Sequence, residues 1–270
     1  MNNMLVRALS GVVYIAVIVG CILGGRDWFL VLVAVFTMLG MAELQRLLST
    51  RVRMGVAARA CDLVMAVCLL LGIYGIGIAY DNFTSLLMVA AVYLPVRIVI
   101  AVIDRSSDPA RVMLYSMLTM IYVAWSLALL YSAYLMSGKE IVLATFIFIW
   151  INDTGAYLSG RTFGRHKLCE RLSPKKTWEG FWGGFILTLA AGAATPFVLG
   201  LPTGKIAVWI VYAAVVSVFG TFGDLFESLI KRNLGVKDSG NIIPGHGGIL
   251  DRIDSLLAVA PFAALMAFLI

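Results

Sequence analysis

Charge is what this chain has least of. Only 13% of its residues are Asp, Glu, Lys or Arg, against roughly 25% in soluble domains. So thin a polar coat cannot cover a water-facing surface, which excludes a soluble globular protein. Cysteine is equally uninformative as a staple. The four cysteines (Cys21, Cys61, Cys68 and Cys169) show no metal-ligand spacing. Three lie in apolar runs and read as small buried hydrophobes, so no disulfide framework is expected. The apolar runs lack the two-residue alternation of barrel strands, and no internal repeat is visible.

What the chain has is apolar length. A helix needs about 20 apolar residues to cross a bilayer, and a span must satisfy its own backbone in lipid. Nine spans are expected, over 8–24, 28–48, 57–79, 84–103, 112–136, 141–159, 180–200, 206–230 and 253–270. The expected fold is therefore an all-α polytopic membrane bundle. Its regions are read as 1–80, N-terminal helices; 81–138, middle helices; and 139–270, a C-terminal catalytic region with two polar loops. Arg7 before an apolar run mimics a signal peptide, and Ile18-Val19-Gly20-Cys21 mimics a lipoprotein box. The helices that follow make a cleaved leader unnecessary.

The charges orient the bundle. Of 21 Lys and Arg, all but Arg26, Lys139, Lys205 and the intraspan Arg97 fall on the side of the N-terminus. The positive-inside rule then puts the N-terminus and the polar loops in the cytoplasm and the C-terminus outside. A net charge of +6 could suggest nucleic acid. Its placement at the cytoplasmic leaflet favours lipid phosphates and nucleotides instead.

Three carboxylates stand out. Asp224 sits inside the eighth expected span, where a charge costs about 2.5–3.5 kcal/mol on insertion scales, and such acids usually face a cavity or a partner. Asp251 and Asp254 open the last span three residues apart, on one helix face. Alone, an Asp-x-x-Asp pair reads as helix capping. With Asp224 it makes an oxygen-rich set suited to Mg²⁺. Between them run Lys231-Arg232, Lys237 and Pro244-Gly-His246-Gly247-Gly248. The glycines let backbone amides approach an anion at a helix start, and His246 is read as a base, a phosphate-orienting group or a loop-structuring one.

A second polar segment starts at Asn152-Asp153 and ends in Ser173-Pro-Lys175-Lys176-Thr-Trp-Glu179-Gly180. Two lysines entering a helix with Glu179 in its first turn suit phosphate groups. Topology alone would explain a basic loop, but it does not call for Asn-Asp inside a span. Glu43 and Arg97 read as interfacial, or as an interhelical pair.

These residues resemble the signature of the phosphatidate cytidylyltransferases, also called CDP-diacylglycerol synthases. It reads Ser228, Lys231-Arg232, Lys237-Asp238, Pro244-x-His246-Gly247-Gly248 and Asp251-Arg252-x-Asp254, with no departure. Asn152-Asp153 and the Ser-Pro-Lys-Lys-Thr-Trp-Glu-Gly element are similar too. The motif-bearing match runs over about 150–255. The resemblance implies Mg²⁺-dependent transfer of CMP from CTP to phosphatidic acid, giving CDP-diacylglycerol and pyrophosphate. It also implies a homodimer, which for this chain would sit in a bacterial inner membrane.

The expected roles follow. Asp224, Asp251 and Asp254 hold Mg²⁺, in a site open to a second cation. Lys231, Arg232 and His246 join them in catalysis. Asn152, Asp153, Ser173, Lys175, Lys176, Lys237, Gly247, Gly248 and Arg252 bind substrate. A phosphate nucleophile needs no strong base, which fits a chain with 2 histidines. A CTP-dependent lipid kinase of the dolichol type is the alternative, then a cation transporter using Asp224. The Asp-Gly-x-x-Ala-Arg pattern of the CDP-alcohol phosphotransferases is absent.

Overall fold

A computed structural model describes residues 3–76, 82–104, 106–242 and 247–269. His246 and Pro244 lie outside the described residues. The helices are α1 (Asn3–Leu23), α2 (Arg26–Leu48), α3 (Val56–Ile76), α4 (Asn82–Ile103), α5 (Pro109–Thr119), α6 (Ser126–Ser137), α7 (Lys139–Phe163), α8 (Trp178–Leu199), α9 (Ile206–Asn233) and α10 (Leu250–Ala267). A π-helical turn, Met120–Trp125, joins α5 to α6 into one rod. Six described helices are long and apolar enough to cross a membrane, counting that rod as one. The other three expected spans fall on α1, α4 and α10.

Local chemistry sets the helix ends. Asp108 caps α5 by accepting the Arg111 amide, and Pro109 takes the first helical position, where its missing N–H costs nothing. Thr177 caps α8 by accepting the Gly180 amide at 3.2 Å. Gly200 ends α8 in the left-handed conformation, where a side chain would be strained. Lys231 and Arg232 lie in the last turn of α9, where cations suit the helix dipole.

One apolar core runs through the bundle, with Phe29, Tyr131, Phe148 and Trp209 almost fully buried. The closest helix pairing joins α7 to α8. A Cβ on Gly184 would stand 2.6 Å from the Asn152 carbonyl oxygen, and one on Gly155 would stand 3.0 Å from the Gly184 Cα. Only glycine permits that approach. The Gly180–Gly184 segment thus packs within the protomer, against α7.

One expectation holds and one needs correction. Ser173–Thr177 leads straight into α8, with Glu179 in its first turn as expected, and is itself the second strand of a small antiparallel hairpin, β1 (Lys167–Cys169) with β2 (Ser173–Thr177). The proline and the β-branched threonine favour extended backbone, and Thr177 then starts α8. Glu43 and Arg97 do not pair with each other, and both are buried, at 3% and 1% exposed. Arg97 meets Asp62 of α3 at 3.2 Å, and Asp62 also accepts from Gln45 and Tyr93, each at 3.0 Å. Arg97 further donates to Ser116 at 2.7 Å. Glu43 goes to the head of α10.

Candidate active site

The acids gather where α7, α9 and α10 meet. A cavity of about 350 Å³ is lined by Asp153, Asp224, Asp251, Arg252 and Asp254 on its polar side. Ile15 of α1 with Phe146, Ile149 and Trp150 of α7 form its apolar side. A second cavity, about 330 Å³, lies against the hairpin and is lined by Asn152, Ser173, Lys175, Lys176 and Thr177 together with the apolar Ala156, Leu168 and Phe181. Asp153 and Asp224 line both cavities. Both volumes lie at the lower end of the range for small-molecule sites.

Packing fixes each group. Asn152 is buried, accepts the Ser217 hydroxyl proton at 2.5 Å and donates to Thr221 at 3.4 Å, both on α9. This strut turns the neighbouring Asp153 toward the cavities. Lys176 reaches from β2 to form an ion pair with Asp224. The hairpin itself is tied down by Glu179, which accepts the Arg165 amide at 3.0 Å and faces His166 Nδ1 at 2.6 Å.

Asp251 is engaged on both oxygens. Oδ1 accepts from Lys231 at 2.6 Å. Oδ2 accepts the Ser239 amide at 2.9 Å, the Ser239 hydroxyl at 3.0 Å and the Gly248 amide at 2.8 Å. Lys231 also pairs with the buried Glu227, one turn back on α9. Gly247 has φ +88°, and a Cβ there would come within 2.6 Å of Asp251 Oδ2. Glycine at that point serves both the turn and the close approach.

Amides at the start of α10, that of Gly248 among them, are engaged by the protein's own carboxylates. Gly248 donates to Asp251, while Ile249 and Leu250 donate to Glu43 at 3.1 and 2.9 Å. Each hydrogen bond to a charged acceptor contributes about 1.5–3 kcal/mol. Arg232 and Lys237 are exposed and line neither cavity, and Arg232 donates to the Val236 carbonyl at 2.9 Å. Among the described residues no three His, Cys, Asp or Glu side chains converge as a ready-made metal cluster. Sequence reasoning missed Glu227, Asp62 and the role of Glu43. The available signal was a carboxylate stranded in an apolar helix.

The sequence model of the cytidylyltransferase family matches residues 5–270. The chain belongs to that family. Among curated relatives, the phosphatidate cytidylyltransferase of Staphylococcus saprophyticus is 48% identical over 127 residues, covering 46% of this chain and 47% of the relative. Those of Staphylococcus haemolyticus and Staphylococcus aureus are 46% and 47% identical over 126 residues, with the same coverage. The chain thus spans about half the length of the curated relatives it matches. Within the cytidylyltransferase family, residues over nearly the whole chain, both halves included, fit one pattern.

Proposed function

We propose that this cytidylyltransferase-family protein is a nucleotidyltransferase that moves CMP from CTP to phosphatidic acid, releasing pyrophosphate. One observation carries the reading: two cavities of different character share the wall formed by Asp153 and Asp224. The cavity beside Lys175 and Lys176 suits the triphosphate of a soluble nucleotide. The other joins an acidic and arginine-bearing end to Ile15, Phe146 and Trp150, and suits a phosphate carried on an acyl-chain lipid.

The chemistry needs little from the protein beyond placement and charge balance. An oxygen of the lipid phosphate attacks the α-phosphorus of CTP. The bond from that phosphorus to the bridging oxygen breaks, and pyrophosphate leaves with the electron pair. No strong base is required, because the nucleophile is already anionic. In this reading Lys175 and Lys176 hold the nucleotide phosphates, Arg252 the lipid phosphate, and Asn152 the wall on which Asp153 stands. Ser173 lines the nucleotide cavity, and Lys231 keeps Asp251 aimed.

The donor set suits Mg²⁺, which is commonly held by one or two carboxylates with substrate phosphates completing the shell. Asp224 and Asp254 are the proposed holders, with Asp251 beside them. When bound, the cation would neutralise charge that develops on the phosphate oxygens. The same reading includes a homodimer in the bacterial inner membrane with the site facing the cytoplasm.

The test uses purified protein in liposomes with phosphatidic acid, Mg²⁺ and CTP labelled separately at the α- and γ-phosphates. The expected result is α-label in the lipid and γ-label in pyrophosphate. Label moving from the γ-position into lipid would make the protein a lipid kinase instead.

A further inference from the structure

The head of α10 is held from the opposite end of the sequence. Glu43 of α2, 3% exposed, accepts the Ile249 and Leu250 amides and, at 3.0 Å, the Ser239 hydroxyl. Ser239 passes the contact on, because its amide donates to Asp251 Oδ2 and its single hydroxyl proton is shared between that oxygen and Glu43. Arg46, on the next turn face of α2, donates to the Ser239 carbonyl at 3.0 Å. Ser239 is therefore bracketed, with α2 on one side and Asp251 on the other. Glycines make this reach possible. A Cβ on Gly240 would stand 2.5 Å from Glu43 Oε1, and one on Gly248 would collide with Ser239 and Glu43.

A plain helix cap would need only a local serine, threonine, asparagine or aspartate. Here a buried charge comes from a distant helix and also grips the residue that orients Asp251. The first turn of a helix moves as a unit, so fixing the 249 and 250 amides also sets where Asp251 and Asp254 point.

We propose that Glu43 is a positioning residue: from α2 it fixes the first turn of α10 and thereby aims Asp251 and Asp254 at the shared cavity. Its kinetic consequence rests on the cytidylyl-transfer reading above. A misplacement of about 1 Å in such a site can cost about 10²-fold in rate.

The experiment compares wild type, Glu43→Gln and Leu44→Ala as full chains in liposomes. Leu44 is fully buried beside Glu43 and serves as a control for lost stability. The readouts are kcat, KM for CTP and for phosphatidic acid, and hydrogen exchange over residues 247–254. For Glu43→Gln we expect kcat to fall about 10²-fold, with both KM values within about two-fold, the pattern of a loss felt in the transition state. Exchange of the 248–251 amides should quicken in that variant and not in Leu44→Ala. Retention of wild-type kcat overturns the proposal. So does an equal kcat loss in Leu44→Ala. Should Glu43→Gln fail to accumulate, Ser239→Ala takes its place, with about a tenfold loss of kcat expected at unchanged KM. Should wild type transfer no α-label to lipid, the cytidylyl reading falls by itself. The exchange readout then decides alone, and unchanged exchange at 248–251 overturns the positioning role.

Discussion

The ammonium of Lys231 lies 2.6 Å from the Asp251 carboxylate and also pairs with Glu227. One cation thus faces two acids that are 0% and 8% exposed at the side chain. Removing one partner of a buried ion pair costs about 3–5 kcal/mol, because it leaves charge unpaired. Lys231→Met is expected to lower the thermal midpoint in detergent by several degrees and to end turnover. An unchanged midpoint would show that Lys231 is not the counter-charge described.

Asp251 and Asp254 should respond differently to the same substitution. Asp251 accepts from Lys231, from both groups of Ser239 and from Gly248. An asparagine there turns an NH₂ toward one of these donors. Asp251→Asn should therefore lose both stability and activity. Asp254 accepts its neighbour's amide at 2.6 Å, without the web of donors that holds Asp251, so Asp254→Asn should keep its thermal midpoint. Its turnover should still fall about 10²–10³-fold, the scale for removing one electrostatic group from a site. Paired melting and rate measurements on both variants check this split.

Lys176 sits on β2 and pairs with Asp224 across the hairpin cavity. If it meets a nucleotide phosphate there, Lys176→Ala should raise KM for CTP about tenfold or more, since a charged hydrogen bond contributes about 1.5–3 kcal/mol. KM for phosphatidic acid should move little. A rise confined to the lipid KM would reverse the assignment of the two cavities.

Gly184 supports Asn152 from behind. Its substitution by alanine would press a methyl against the Asn152 carbonyl, at 2.6 Å before any relaxation. Overpacking of this kind costs about 1–3 kcal/mol, and here it would also push the strut that orients Asp153. Gly184→Ala should reduce activity more than its loss of thermal stability explains. Gly204, in the turn before α9 and with open space around it, supplies the control, and Gly204→Ala should behave as wild type.

The sequence exposed those parts of the protein that depend on neighbours along the chain. Apolar runs of span length located the helices, and spaced acids and bases located Asp224, Asp251, Asp254 and Asn152-Asp153. It hid what depends on distant partners. Glu43 meets Ile249 across 206 positions, and nothing local to α2 announces that contact. Asp62 likewise looks stranded until α4 brings Arg97 beside it. The β1–β2 hairpin was missed because its strands are 3 and 5 residues long, too short for alternation to emerge. The glycine-rich approach to α10 was read as a cradle for an incoming anion, since loose backbone amides invite one. Only the tertiary fold reveals that Asp251 holds the Gly248 amide and Glu43 the two amides after it.

The buried pair of Asp62 and Arg97 bears on how the protein is made. The two residues lie on consecutive helices, α3 and α4, so each waits on the other during synthesis. Either helix alone would present a naked charge to hydrocarbon, whereas the two entering together present a neutral, hydrogen-bonded hairpin. The ribosome delivers α3 first, and its aspartate stays uncompensated until α4 follows. Entering the membrane as one unit, α3 and α4 would bury that charge already matched, and Gln45 of the earlier α2 adds a further donor to Asp62.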